Sequence, residues 1–139
     1  MTFTAAETDY LKTQDLGRLA TVQPGGAPQV NPVGFRYNEE MNTIDISGYH
    51  MAASRKFRNV AQNSRVAFVV DDIVSKQPWR VRCLEIRGIA EAVGGDPLGQ
   101  AADGSEAIIR IHPRRIISFG IDEPDREPHL LIPSKRNVT

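Results

Sequence analysis

Cysteine is almost absent from this chain. Cys83 stands alone among 139 residues, so no internal disulfide can staple the fold. His50, His112 and His129 are scattered singly, and no pair of ligands stands at the spacing a structural zinc requires. A reducing cytoplasm is the expected compartment, and no metal is expected. Net charge is also lacking. The 17 Lys and Arg cancel the 17 Asp and Glu, which removes the electrostatic case for a nucleic-acid partner or an anionic membrane. Any anion site must therefore be local. No apolar run approaches the roughly 18 residues of a membrane span, and Glu7 and Asp9 stand where a secretory signal needs a basic and then an apolar stretch. A soluble protein is expected. What the chain does have is length enough for one hydrophobic core, and a single domain over 1–139 is the expectation.

The order of elements can be read from turn signals and periodicity. Thr4 and Glu7 have the spacing of a capping box, predicting a short helix to about Gln14. From Arg18 the period is two, and the run stops at Pro24-Gly25-Gly26-Ala27, a hairpin signal. The return strand, from about Pro28 to Tyr37, carries Pro32 and Gly34, which predict a bulge or an edge. A third strand runs from Thr43 to Tyr49, with Ile44 and Ile46 on one face and Asp45 and Ser47 on the other. Ser54 caps a second helix in which Phe57, Val60 and Ala61 form one buried stripe. Arg65 to Val70 reads as a central strand, and Asp71-Asp72 as the start of a loop. Arg80 to Val93 reads as a long strand with a bend at Gly88. Two short strands, 107–111 and 115–121, are separated by Pro113, and the tail from about Asp122 reads as an irregular arm. The sum is a mainly β protein, about seven antiparallel strands with two short helices, of the kind that closes into a small barrel.

Two stretches carry chemistry. Arg55, Lys56 and Arg58 crowd the first turns of the second helix, the end that already bears partial positive charge and free amides. A phosphate there would be met by amides, dipole and cations together. A solvated basic face is the other reading, and spacing alone leaves both open. The second stretch is the interrupted strand from Pro28 to Phe35, followed by Ser47-Gly48-Tyr49 just before the basic helix. Its unpaired backbone groups suit the edge of a heteroaromatic ring, although a bulged strand with no ligand has the same pattern. Cys83 has no His or second Cys to activate it and reads as structural. His112 and His129 read as surface residues, Asp71-Asp72 as closing a turn, and Arg114-Arg115 as a solvated barrel rim.

In order along the chain, Gly17-Arg-Leu-Ala-Thr-Val22, Ala27-Pro-Gln-Val-Asn-Pro-Val-Gly-Phe-Arg36, Ser54-Arg-Lys-Phe-Arg-Asn-Val60 and Arg65-Val-Ala-Phe-Val-Val-Asp-Asp72 resemble the pyridoxamine-phosphate-oxidase-like family. More narrowly, they are similar to its F420-dependent branch among the flavin and deazaflavin oxidoreductases. Trp79-Arg-Val-Arg82 and Glu85-Ile-Arg-Gly88 extend the resemblance, which covers roughly residues 10 to 93. It implies a split β-barrel whose homodimer holds two cofactors at the subunit interface. It further implies that Ser54, Arg55 and Lys56 hold the cofactor phosphate and that Val30, Asn31, Pro32 and Val33 lie against the tricyclic ring. Ser47, Gly48 and Tyr49 would flank the ribityl chain, with Trp79 and Arg80 reaching in from the partner. FMN and F420 share this cleft in the family, and the oligoglutamate tail of F420 would give Arg58 an anion to meet.

The resemblance implies hydride transfer between reduced deazaflavin and a small electron-poor molecule such as a quinone or enone, with no protein nucleophile. Tyr49, His50 and solvent are the proton sources it leaves open. An FMN flavoprotein and a non-catalytic cofactor carrier are the alternatives. Two departures from the family pattern argue against vitamin B6 oxidation. Gly94 to Ser105 is short and glycine-rich where several relatives insert a helix, and the C-terminus lacks the Arg/His segment used on that substrate.

Overall fold

A computed structural model describes residues 2–94 and 106–138. The first helix, α1 (Ala5–Thr13), begins at the expected capping box: the Thr4 amide donates to Glu7 Oε1 at 3.0 Å and the Glu7 amide to Thr4 Oγ1 at 3.1 Å. Eight strands follow, β1 (Leu16–Val22), β2 (Pro28–Gly34), β3 (Arg36–Asn38), β4 (Thr43–Ile46), β5 (Arg65–Lys76), β6 (Trp79–Val93), β7 (Ile108–Phe119) and β8 (Ser134–Asn137). The second helix, α2 (Arg55–Gln62), stands between β4 and β5. All strand pairings are antiparallel, in the order β2-β1-β5-β6-β7-β4-β3, with β8 on β7. The sheet curls into a barrel whose two terminal strands, β2 and β3, are consecutive in sequence and joined through Phe35 without pairing. The barrel is split at that seam, as the resemblance implied.

Its core is the inward face of these strands. Leu19, Phe68, Leu84, Ile86, Ile109, Ile111 and Ile116 are fully buried, and each such side chain contributes about 1.5–3 kcal/mol on removal from water. Phe35 reaches inward across the seam and meets Phe68 edge-on, with ring centroids 5.3 Å apart. Gly17 is required opposite that ring, because a Cβ there would overlap the Phe68 side chain.

Four expectations need correction. Asp71 and Asp72 do not open a loop: β5 continues to Lys76, because Asp71 and Asp72 pair with Cys83 and Arg82 and their charges find arginines. Pro113 does not split β7. Its missing amide falls at a register shift opposite Arg87 and Gly88, where a Cβ on Gly88 would run into the His112 carbonyl, so a bulge absorbs the proline. The bend assigned to Gly88 is this bulge. The tail is not irregular throughout, since Ser134–Asn137 adds a strand to β7. On α2 the buried residues are Phe57, Asn59 and Val60, while Ala61 is exposed, because Asn59 is satisfied from β1 and β2. The glycine-rich stretch from Gly94 to Ser105 lies, after Gly94, outside the described residues.

Candidate functional site

The start of α2 is built by its own cap. Ser54 Oγ accepts the Phe57 amide at 3.2 Å and donates to the Met51 carbonyl at 2.6 Å, tying the helix to a 3-10 turn over Met51–Ala53. Phe57 and Val60 anchor the helix in the core, and Asn59 Nδ2 donates to Thr21 Oγ1 at 3.0 Å and Gln29 Oε1 at 2.9 Å. The helix is thereby pinned across β1 and β2. Helix geometry leaves the amides of Arg55 and Lys56 without an intrahelical acceptor, and the first turn holds no acidic residue. Among the described residues no carboxylate pairs with Arg55, Lys56 or Arg58: Arg55 reaches Gln23 Oε1 at 3.4 Å, and Arg58 the Ala53 carbonyl at 3.2 Å. Three cations and two free amides without a counter-anion are the donor set a phosphate needs.

Beside this helix start lies β2, an end strand of the sheet with one edge unpaired. Its outward face presents Val30, 65 % exposed, with Pro32 and Gly34. Its inward face differs from expectation in detail. Val33 is buried in the core, and Asn31 is half-buried and accepts from Gln29 Nε2 at 3.1 Å, continuing the chain that begins at Asn59. Ser47, Gly48 and Tyr49 leave β4 as a fully exposed segment, and His50, with φ of 53°, turns the chain sharply into the 3-10 turn below. Val30, Asn31, Pro32, Val33, Ser47, Gly48, Tyr49, Ser54, Arg55, Lys56 and Arg58 are thus carried on neighbouring elements: β2, the segment after β4 and the start of α2.

Trp79 and Arg80 are not brought there. They sit at the tip of the β5–β6 hairpin, beyond the opposite end of β1, because β5 runs antiparallel to β1 from a start level with its C-terminal end. The run of β5 from that level to Lys76 is on the order of 40 Å at the rise of an extended strand. Trp79 is half-exposed there beside Ile73, and Arg80 Nε faces Asp125 at 3.6 Å. Cys83, on β6, has its thiol pushed up to about 11 by burial and by Asp71 and Glu85, which leaves it unreactive at neutral pH.

Several polar clusters escaped the sequence reading. Asp45, on the strand face opposite Ile44 and Ile46, is buried and held by Arg110, Asn38 and Thr43. Burial would raise its carboxyl, but those hydrogen bonds outweigh burial and hold it below the usual carboxylate range. Glu7 is buried against Arg136 and Ser118, and Asp72 accepts both Tyr10 Oη at 2.9 Å and Arg82 Nε at 2.9 Å. Each joins residues distant in sequence, and no local pattern announces them. None of the described residues forms a cluster of three metal-ligating side chains, and no described helix is long and apolar enough to cross a membrane.

Comparison with known proteins agrees with this geometry. Residues 3–126 match the family described as pyridoxamine 5′-phosphate oxidase. The 5a,11a-dehydrotetracycline/5a,11a-dehydrooxytetracycline reductase of Streptomyces rimosus is 48 % identical over 122 residues, covering 88 % of this chain and 86 % of the relative. A solved structure of an F420 reductase is 30 % identical with a TM-score of 0.53, covering 71 % of this chain and 86 % of that one. The FAD-binding protein of Mycobacterium smegmatis shares the fold at 22 % identity, with a TM-score of 0.60 over 85 % of this chain and 96 % of that one. Solved structures that share the fold include proteins described as FAD-binding, as an F420 reductase and as FMN-binding. The chain belongs to the pyridoxamine 5′-phosphate oxidase family and is an oxidoreductase of its split-barrel kind.

Proposed function

We propose that the protein is an F420-dependent reductase that transfers a hydride from reduced deazaflavin to a small conjugated carbonyl compound, working as a homodimer. The observation that carries the reading is the uncompensated cation set at the start of α2 beside the open face and free edge of β2. Bound cofactor supplies the hydride; the chain's residues hold and orient it. Lys56 and Arg55, with their own amides, meet its phosphate, while Ser54 keeps the helix start in place. Val30 and Pro32 form an apolar floor for the ring, and the β2 edge offers backbone groups to its polar rim. Arg58 is left for the anionic tail that F420 has and FMN lacks. The identity to an F420 reductase structure and the name of the Streptomyces relative support this cofactor and an enone-bearing polycyclic substrate.

The second copy is needed because the cleft has a floor and one end but no cover, while Tyr49, Val30, Ile73 and Trp79 are exposed apolar surface. Trp79 and Arg80, remote from α2 in their own chain, would serve the partner's cleft. Titration of the purified protein with F420, FMN and FAD, followed by fluorescence and thermal shift, tests the cofactor. Preferential stabilisation by F420 and a dimer by light scattering are expected. Tighter binding of FMN would move the protein to the flavin side of the family, and a stable monomer with cofactor bound would remove the shared cleft.

A further inference from the structure

The seam between β2 and β3 opens on a cavity of about 760 Å³ lined by Gly34, Arg36, Ser47 and Arg110 and by three carboxylates, Asp15, Asp45 and Glu106. That is the size of pocket that encloses a multi-ring small molecule. Gly34 and Ser47 continue the two segments, Val30–Val33 and Ser47–Tyr49, to which the cofactor is given above, so the cavity adjoins that cleft. A row of alternating charge crosses the sheet here. Arg36 on β3 is the cross-strand partner of Asp45 on β4, Asp45 of Arg110 on β7, and Arg110 of Glu91 on β6.

The two arginines differ in what they have left to give. Arg110 donates Nε to Asp45 Oδ1 at 3.0 Å and Nη2 to Oδ2 at 3.1 Å, and Thr43 Oγ1 and Asn38 Nδ2 complete the carboxylate at 2.9 and 3.0 Å. Four donors fill the acceptor capacity of one carboxylate. Arg36 comes no nearer than 3.5 Å to Asp45 Oδ2, and its side chain is 72 % exposed. Its backbone is nonetheless fixed, because Phe35 is packed on Phe68 and β3 is paired with β4. The seam therefore holds a guanidinium with its fork unspent, carried on a fixed backbone at the wall of a cavity beside the cofactor cleft.

We propose that Arg36 is the substrate-recognition residue, binding the anionic oxygen of a conjugated carbonyl substrate whose enol is acidic. The proposal deepens the functional reading above and rests on it. When hydride forms a C–H bond at the β-carbon of such a substrate, the C=C pair shifts to leave an enolate and the cofactor is oxidised by two electrons. Solvent then protonates the α-carbon. Arg36 offers two parallel donors where that charge collects, the geometry in which a guanidinium binds oxyanions best. Arg110, spent on Asp45, acts indirectly: it occupies the carboxylate that would otherwise bind Arg36.

The test uses the oxidised cofactor-loaded protein and two probes of nearly equal shape, 2-hydroxy-1,4-naphthoquinone, whose enol is ionised at neutral pH, and neutral 1,4-naphthoquinone. Equilibrium binding of each is measured for the parent, Arg36→Gln and Arg36→Lys, with cofactor affinity and melting temperature recorded on the same samples. The parent should prefer the anionic probe. Arg36→Gln should lose about ten- to a hundredfold of that affinity, with the neutral probe and the cofactor unchanged. Arg36→Lys should recover part of the loss. No preference in the parent, or an equal change for both probes in Arg36→Gln, overturns the assignment of Arg36 while leaving the cofactor reading intact. Failure of the parent to bind F420 overturns both.

Discussion

Positive charge is treated in opposite ways where the chain's two ends meet and where α2 begins. Arg136, on β8, donates Nη1 to Glu7 Oε2 at 3.0 Å and Nη2 to the Thr2 carbonyl, and Glu7, 2 % exposed, also takes Ser118 Oγ at 3.1 Å. That cation is there to hold β8 and α1 on the barrel. Arg55, Lys56 and Arg58 stand on a helix end that repels them, with no carboxylate partner among the described residues. A cation compensated inside the chain serves the fold, and one left uncompensated against a helix dipole is available for a ligand. The contrast can be broken at either end.

The largest effect is expected at the terminal pair. Glu7→Ala leaves Arg136 half-buried without its partner and removes the acceptor of the capping box, which should cost about 3 kcal/mol. Urea unfolding measures it; a loss within experimental error would mean that β8 and α1 are held by their apolar contacts alone.

The same pair sets an acid limit. Burial tends to raise the Glu7 carboxyl, but the Arg136, Thr4 and Ser118 hydrogen bonds outweigh it and hold the group below the usual carboxylate range. A carboxyl depressed in the folded state stabilises it above its unfolded value, roughly pH 4, and that contribution is lost as pH falls through the folded value. Urea midpoints should therefore fall as pH is lowered below about 4. Glu7→Gln, which keeps an acceptor for the Thr4 amide but cannot titrate, should flatten that decline, and an unchanged acid slope would acquit Glu7.

Next comes the ligand end. Lys56→Ala removes one charge-assisted contact and should weaken F420 binding about ten- to a hundredfold, equivalent to about 1.5–3 kcal/mol. Arg115→Ala is the control, since Arg115, on β7, is tied to Asn137 Oδ1 of β8 at 2.7 Å. If both variants bind the cofactor as tightly as the parent, the phosphate is not held at α2.

The same contrast explains what was legible in the sequence. Turn chemistry, period two and caps lie within a few neighbouring residues, so the β1–β2 hairpin, both helices and the start of β5 could be read directly. The basic helix start was legible for the same reason, being one run of seven residues from Ser54 to Val60. Asp45, Glu7 and Asp72 look like surface residues in sequence, because what neutralises each is an arginine 65, 129 or 10 positions away. Pro113 in a paired strand was illegible because the bulge that accommodates it depends on Gly88 across the sheet. In sequence, Arg36 is only the last residue of a motif. Its importance depends on Asp45 being already filled by Arg110, Thr43 and Asn38, which only the register of β3, β4 and β7 reveals.

The smallest expected effect separates the two readings of α2 most cleanly. Without cofactor, Lys56→Ala removes a cation from the positive end of a helix whose first turn has no acid to offset it. Like-signed charge is relieved, so the apo protein should be unchanged or more stable by a few tenths of a kcal/mol. Alanine also has the best helix propensity, which acts in the same direction. A solvated basic face that merely packs its stems along the helix would instead lose apolar cover on truncation and become slightly less stable. The melting temperature of apo Lys56→Ala, read beside its cofactor affinity, gives the sign. A rise or no change together with weakened binding marks a cation kept for a ligand at the expense of the helix, and a fall with binding intact marks one that serves the fold, as Arg136 does.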